Sequence, residues 1–220
     1  MQLFRFLTGS RPALIDQATR ELGVMLDTSG EMFAGAASCL LENIPLKLDL
    51  RSLDERVNAG EETVRRAVLE HVAVSPKDET AFSLLLVSVV QDAERCGDLA
   101  KTLAKVSELA DAPRHGQHVE ALAAIRDRVA EAYPQTQKAF TDGDASQARR
   151  VMDGHARTKN DVADLLKALT SDPDLSPNQA AVLAMAARII GRTSSHLSNI
   201  ASAVALPFDR VRNAPVWEAA

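Results

Sequence analysis

The feature that most constrains this chain is an apolar series at Phe82, Leu86, Val89, Ala93, Cys96, Ala100 and Leu103. Its steps alternate between four and three, the repeat of a helix that buries one stripe against neighbouring helices. Glu94 and Asp98 fall outside this stripe. Being four residues apart, they stand one turn above each other, on the face expected to turn away from the core. Like charges so stacked repel by about a few tenths of a kcal/mol. Either solvent screens them or a cation lies between them, and a solvated acidic face is the commoner outcome.

The rest of the sequence fits an all-α chain. Ala, Leu, Val, Arg and Glu abound, aromatic residues make up only 4%, and no sustained period-two alternation or Asn-Gly hairpin signal occurs. With 220 residues and 46% apolar content there is enough chain for one or two domains with a real core. The formal charge of −5 argues against a general nucleic-acid binder, which needs a basic surplus to displace counterions. Cys39 and Cys96, the only cysteines, sit in apolar helical patterns and are expected as buried thiols. The start, MQLFRFLTGS, lacks a secretory apolar region, and no apolar run approaches the roughly 20 residues that span a bilayer, so a cytoplasmic protein is expected. Leu3, Phe4, Phe6 and Leu7 are expected to pack on the bundle.

Read in order, Ser10 and Pro12 start a first helix that Asn43 and Pro45 stop after Leu41. A second begins near Asp49 or Ser52 and buries Leu53, Val57, Gly60, Val64, Ala67 and His71, the histidine as a helix-end contact. Its neighbouring ridge holds Asp54, Asn58, Glu61 and Arg65, which projects three potential oxygen ligands from one side. Ser75 or Asp78 caps a third helix that reaches about Leu109. Three more are expected at about 115–140, 145–170 and 177–206, separated by Asp142-Gly143-Asp144 and by the Asp- and Pro-containing turn that ends at Ser176. An offset of 97 carries Arg95 onto Arg192 and superposes the third and sixth helices. The layout is two tandem three-helix bundles, 1–112 and 113–206, followed by a tail, 207–220, expected to be non-helical and to dock through Trp217 or reach a partner.

Two stretches carry a family resemblance. Residues 92–104, DAERCGDLAKTLA, resemble the D-L-E-R-I-G-D motif of the PhoU family of phosphate-transport regulators. Residues 57–71, VNAGEETVRRAVLEH, are similar to that family's I-N-x-x-E-x-x-V-R-R-x-V-x-x-H segment. The resemblance implies two three-helix bundles in tandem. It also implies a non-enzymatic regulator of phosphate uptake and signalling, an adaptor between the ATPase of a phosphate ABC transporter and a sensor histidine kinase, commonly as a homodimer. Metal ions on the surface belong to that picture: Fe or Zn first, with Mg, Mn or Ni as alternatives. The residues matching the family's motifs as ligands are Asp54, Asn58, Glu61, Glu94 and Asp98, with Arg65, Arg66 and Arg95 orienting the carboxylates by bidentate pairing.

The chain departs from the family in its second half. The family's second copy reads A-R-x-L-E-R-x-G-D-H with an Asn three residues on, whereas here residues 187–196 are ARIIGRTSSH, followed by Asn199. Arg, His and Asn match, but Gly191 and Ser195 replace both carboxylates, and His155 and Lys159 stand near positions where the family has acids. Metal is therefore expected in the first bundle and not in the second.

No P-loop, G-x-G-x-x-G, G-x-S-x-G or H-E-x-x-H sequence is present, and His115 with His118 lacks further ligands in sequence. An enzyme is not expected. The alternative from a different class is a carboxylate metal-binding or storage bundle, or a ferritin-like metalloenzyme, which requires Glu and Glu-x-x-His groups aimed inward. A third reading is a helical adaptor without metal.

Overall fold

The computed structural model describes residues 12–75 and 79–212, and these form six long helices without a strand. They are α1 (Ala13–Leu41), α2 (Leu50–Val74), α3 (Thr80–Ser107), α4 (Gln117–Asp142), α5 (Ala145–Ser171) and α6 (Pro177–Ala205), and a short 3₁₀ turn, Phe208–Arg210, follows α6. The expected all-α architecture of two three-helix units is observed. Leu3, Phe4, Phe6, Leu7, Ser10, Asp78 and Trp217 lie outside the described residues.

Local chemistry sets most of the boundaries. The Asp49 carboxylate accepts from the Ser52 N–H at 3.1 Å, Asp144 accepts from Ser146 and Gln147, and Ser176 accepts from Gln179 ahead of Pro177, so α2, α5 and α6 each begin on a side-chain cap. Gly143, with φ of 67°, closes α4 in the left-handed conformation that glycine adopts without a Cβ clash. The third helix begins differently from the expectation. Glu79 precedes it with φ of 52° and no side-chain cap, and Ser75 instead ends α2, donating its N–H to the His71 carbonyl. His71 is buried in the last turn of α2.

The stripe from Phe82 to Leu103 is fully buried. α3 packs against α1 and α2 on one side and against α6 on the other, while α1 also crosses to α4. A single apolar core therefore runs through both bundles. Rings mark the joint: Phe33 on α1 stacks obliquely on Tyr133 of α4 at 5.6 Å, and Phe82 meets Phe140 at 5.7 Å. Burying side chains the size of Leu26, Met32 or Leu86 contributes about 1.5–3 kcal/mol each, which is what holds such long helices together. At Gly60 the approach of α2 to α1 is so close that a Cβ would fall 2.6 Å from Met25 Cγ.

The cysteines differ. Cys96 is buried, and burial pushes its thiol well up, whereas Cys39 is partly exposed, with Sγ 3.3 Å from Ser107 Oγ, because its helix face borders the link between the bundles. Among the described residues no helix is long and apolar enough to cross a membrane.

Candidate functional site

Because α2 and α3 pack side by side, the ridge next to each buried stripe faces the groove between them. Asp54, Asn58 and Glu61 come from α2, Glu94 and Asp98 from α3. The side chains of Asp54, Glu61 and Glu94 are each less than one-fifth exposed, and Asp98 is 37% exposed. The expectation of outward-facing, solvated carboxylates is thus corrected: they line a groove rim, since a position one step off the seam of one helix is covered by the helix beside it.

A cation from the chain itself already serves part of this set. Lys101 Nζ lies 2.7 Å from Asp54 Oδ2 and 2.9 Å from Asp98 Oδ1, bridging the two helices. Asn58 donates to Asp54 Oδ2 at 3.4 Å. Arg65 contacts Glu61 at 2.7 Å, but Arg95 reaches Glu94 and Asp98 only at 3.7 and 3.5 Å. These are single contacts, not the bidentate forks expected of them, because each arginine shares a helix with its acid and meets it edge-on. Arg66 is exposed and forms no ion pair with a described residue.

The charges are unevenly compensated. Burial, then the charge and hydrogen bond of Asp98, then Glu61, push Glu94 up to about 7 against the pull of Arg95. Burial alone would also raise Asp98, yet the hydrogen bond and charge of Lys101, with the proton shared from Glu94, hold it below the usual carboxylate range. Lys101 is disfavoured by burial but raised overall by its bonds to Asp54 and Asp98. One end of the groove is neutralised by Lys101; at the other Glu61 is met by Arg65, while Glu94, with Arg95 no closer than 3.7 Å, shares a proton with Asp98. The donors are all oxygens, which suits a hard cation better than zinc. Among the described residues no three Asp, Glu, His or Cys side chains converge as a ready cage. A cation would have to draw Asp98 from Lys101.

The first residue of the same motif has a different place. Asp92 is completely buried at the contact of α3 with α6, where Oδ1 accepts from Asn199 Nδ2 at 2.9 Å and lies 2.8 Å from His196 Nδ1. Arg212, beyond α6, brings its Nε to 3.2 Å from Oδ2, and its own N–H donates to Ser202 Oγ. Asp92 thus joins the two bundles and anchors the chain after α6. Sequence reading passed over it, although His196 and Asn199, three residues apart on one helix face, were the available signal.

The second bundle repeats the geometry without the acids. Gly191 and Ser195 occupy the places of Glu94 and Asp98 under the 97-residue offset. Val162 abuts Gly191, whose Cβ would lie 3.5 Å from Val162 Cγ2, much as Glu61 faces Glu94. His155 Nδ1 lies 3.1 Å from Ser194 Oγ, and Ser194 corresponds to Gly97, the residue beside Asp54. His155, Lys159 and Val162 therefore stand where the first bundle has Asp54, Asn58 and Glu61. Elsewhere, His118 pairs with Asp172 at 2.7 Å, and His115 turns to the Pro113 carbonyl, so these two histidines do not face one ligand.

Residues 22–107, covering most of α1 and all of α2 and α3, match the family model of the PhoU domain. A search of curated proteins finds no match. Among solved structures, the chain resembles PhoU from Pseudomonas aeruginosa, with a TM-score of 0.80 at 20% identity over 87% of this chain and 95% of that one. It also resembles the phosphate transport system regulatory protein PhoU from Streptococcus pneumoniae, with a TM-score of 0.73 at 16% identity over 93% and 96%. Residues 22–107 are accordingly similar to a PhoU domain, and the chain as a whole shares the fold of these two PhoU structures.

Proposed function

We propose that this protein is a non-enzymatic regulator of phosphate uptake and phosphate signalling, a cytoplasmic adaptor between the ATPase of a phosphate ABC transporter and a sensor histidine kinase. The observation that carries this reading is the PhoU domain match, which takes in both helices of the acidic groove, on a chain 93% of which follows the fold of a phosphate transport system regulatory protein. In this reading the protein works as a homodimer. Asp54, Asn58, Glu61, Glu94 and Asp98 hold a hard cation such as Fe, Mn or Mg, with Zn less suited to an all-oxygen set. The raised Glu94 carboxyl, which Arg95 approaches no closer than 3.7 Å, supports that role. The ion would replace the proton at Glu94 and displace Lys101 from Asp98, so occupancy would change the surface charge seen by a partner.

Two measurements test this reading. Purified, untagged protein is mixed with the transporter ATPase or the kinase domain, with and without added metal, and a deletion strain is scored for phosphate-dependent uptake. Binding to one partner together with deregulated uptake is expected; no binding in either condition together with normal regulation would overturn it. The Lys101 bridge specifically favours the metal-free adaptor as the second reading. Metal analysis separates the two: ions lost in the Glu94→Ala/Asp98→Ala variant indicate the cation site, and ion-free wild-type protein that still binds its partner indicates the metal-free form.

A further inference from the structure

The counterpart of the acidic groove is a cleft of about 320 Å³ between α5 and α6. Lys159, Arg188 and Arg192 line it with His155 and Ser195, Gly191 forms part of its floor, and no carboxylate lines it. Among the described residues none of these three cations forms an ion pair. By contrast, Arg128 and Lys167, elsewhere on the same bundle, each have an acid within 3.2 Å. In the first bundle the equivalent places hold Asp54, Asn58, Glu61, Glu94 and Asp98, and Gln91 stands where the second has Arg188. The acids of the first groove are thus replaced by neutral residues, Lys159 and Arg188 are added where the first groove is neutral, and Arg192 stands where it has Arg95.

From this loss of acids beside three cations we infer that the second bundle carries an anion site for a tetrahedral oxyanion, inorganic phosphate or a small phosphomonoester, held by Lys159, Arg188 and Arg192. Three cations gathered without a counter-charge repel one another, and an anion among them reverses the sign of that energy. Arginine presents N–H forks that match phosphate oxygens, and lysine adds a point charge. Gly191 leaves open the space that a glutamate at this position would fill from within the chain. Ser195 supplies a neutral hydroxyl. His155, held below its ordinary value by burial and then by Lys159, has Nδ1 at 3.1 Å from Ser194 Oγ, and in the tautomer in which Nδ1 accepts, Nε2–H is a further donor. A cleft of this volume suits a small molecule, whereas a protein partner's interface calls for a far larger surface. The inference stands on the charges of the second bundle and does not depend on the regulatory reading.

Titration calorimetry of the full chain at constant ionic strength tests it, with inorganic phosphate, glycerol phosphate and chloride as titrants. Saturable binding of phosphate or the ester, and none of chloride, is expected; the tighter of the two names the source of the oxyanion. Arg188→Glu/Arg192→Glu should weaken binding by about tenfold or more, a loss of at least about 1.4 kcal/mol. Arg188→Gln/Arg192→Gln should do so too, with unchanged circular dichroism, and Glu94→Gln/Asp98→Asn should leave it intact. No saturable binding up to roughly 10 mM, wild-type affinity in both arginine variants, or saturable binding of chloride equal to that of phosphate would overturn the assignment.

Discussion

Residues 92–98 of α3 and 189–195 of α6 occupy equivalent places in their bundles, yet the acids of one are neutral residues in the other. α3 presents Asp92, Glu94 and Asp98, where α6 has Ile189, Gly191 and Ser195. Six of the seven stripe positions are buried in both helices, Gln179 standing half-buried where α3 has Phe82, so the backbone scaffold tolerates either set. The difference teaches that packing and surface charge are separable in this fold. Apolar spacing fixes where a groove forms, and the residues one step off the stripe decide what the groove attracts. Asp92 shows the limit of that freedom, since a buried carboxylate persists only where partners meet it.

The largest expected effect breaks the comparison at that residue. Asp92→Ala should cost roughly 3 kcal/mol in urea denaturation, because His196, Asn199 and Arg212 lose their common acceptor. Ile189→Asp, which installs the carboxylate at the equivalent place, should cost roughly 4 kcal/mol or more, since the counterparts of His196 and Asn199 are Leu99 and Thr102. A tolerated Ile189→Asp would show that partners are not what keeps Asp92 buried.

pH sharpens the contrast with a smaller effect. Glu94 is raised in the folded chain, so between about 4.5 and about 7 the fold holds a proton that the unfolded chain has released, and stability falls as pH rises through this window. After discounting for solvent screening, the metal-free protein should lose about 1 kcal/mol across it, and Glu94→Gln should remove that decline. His155 is lowered instead, so its contribution is present above the ordinary histidine value and is lost as pH falls below it. Denaturant midpoints across this range for Glu94→Gln and His155→Gln should shift the profile in opposite senses; parallel shifts would refute the contrast between the two grooves.

The smallest effect comes from rebuilding one acid. Gly191→Glu should stabilise α6 by about 0.5–1 kcal/mol, from helix propensity and from the three nearby cations. The added Cβ meets Val162 at an ordinary 3.5 Å. A lower melting temperature for this variant would mean that the cations of the second groove are compensated in some other way.

Sequence alone determined the helices, because apolar spacing and caps such as Asp49, Asp144 and Ser176 act within a few residues of chain. It also determined the two-bundle plan and the acid-poor character of the second copy, since these are repeats and departures written in residue order. Tertiary packing decided what each polar residue became. Glu94 and Asp98 moved from a supposed outer face to a groove rim because α2 covers them, and Lys101 took the place between Asp54 and Asp98 because two helices brought both oxygens within reach. Asp92 acquired partners from about a hundred residues away, on α6 and after it. Burial and pairing are properties of neighbours in space, and periodicity along one helix specifies which side is buried without specifying which side chains will meet there.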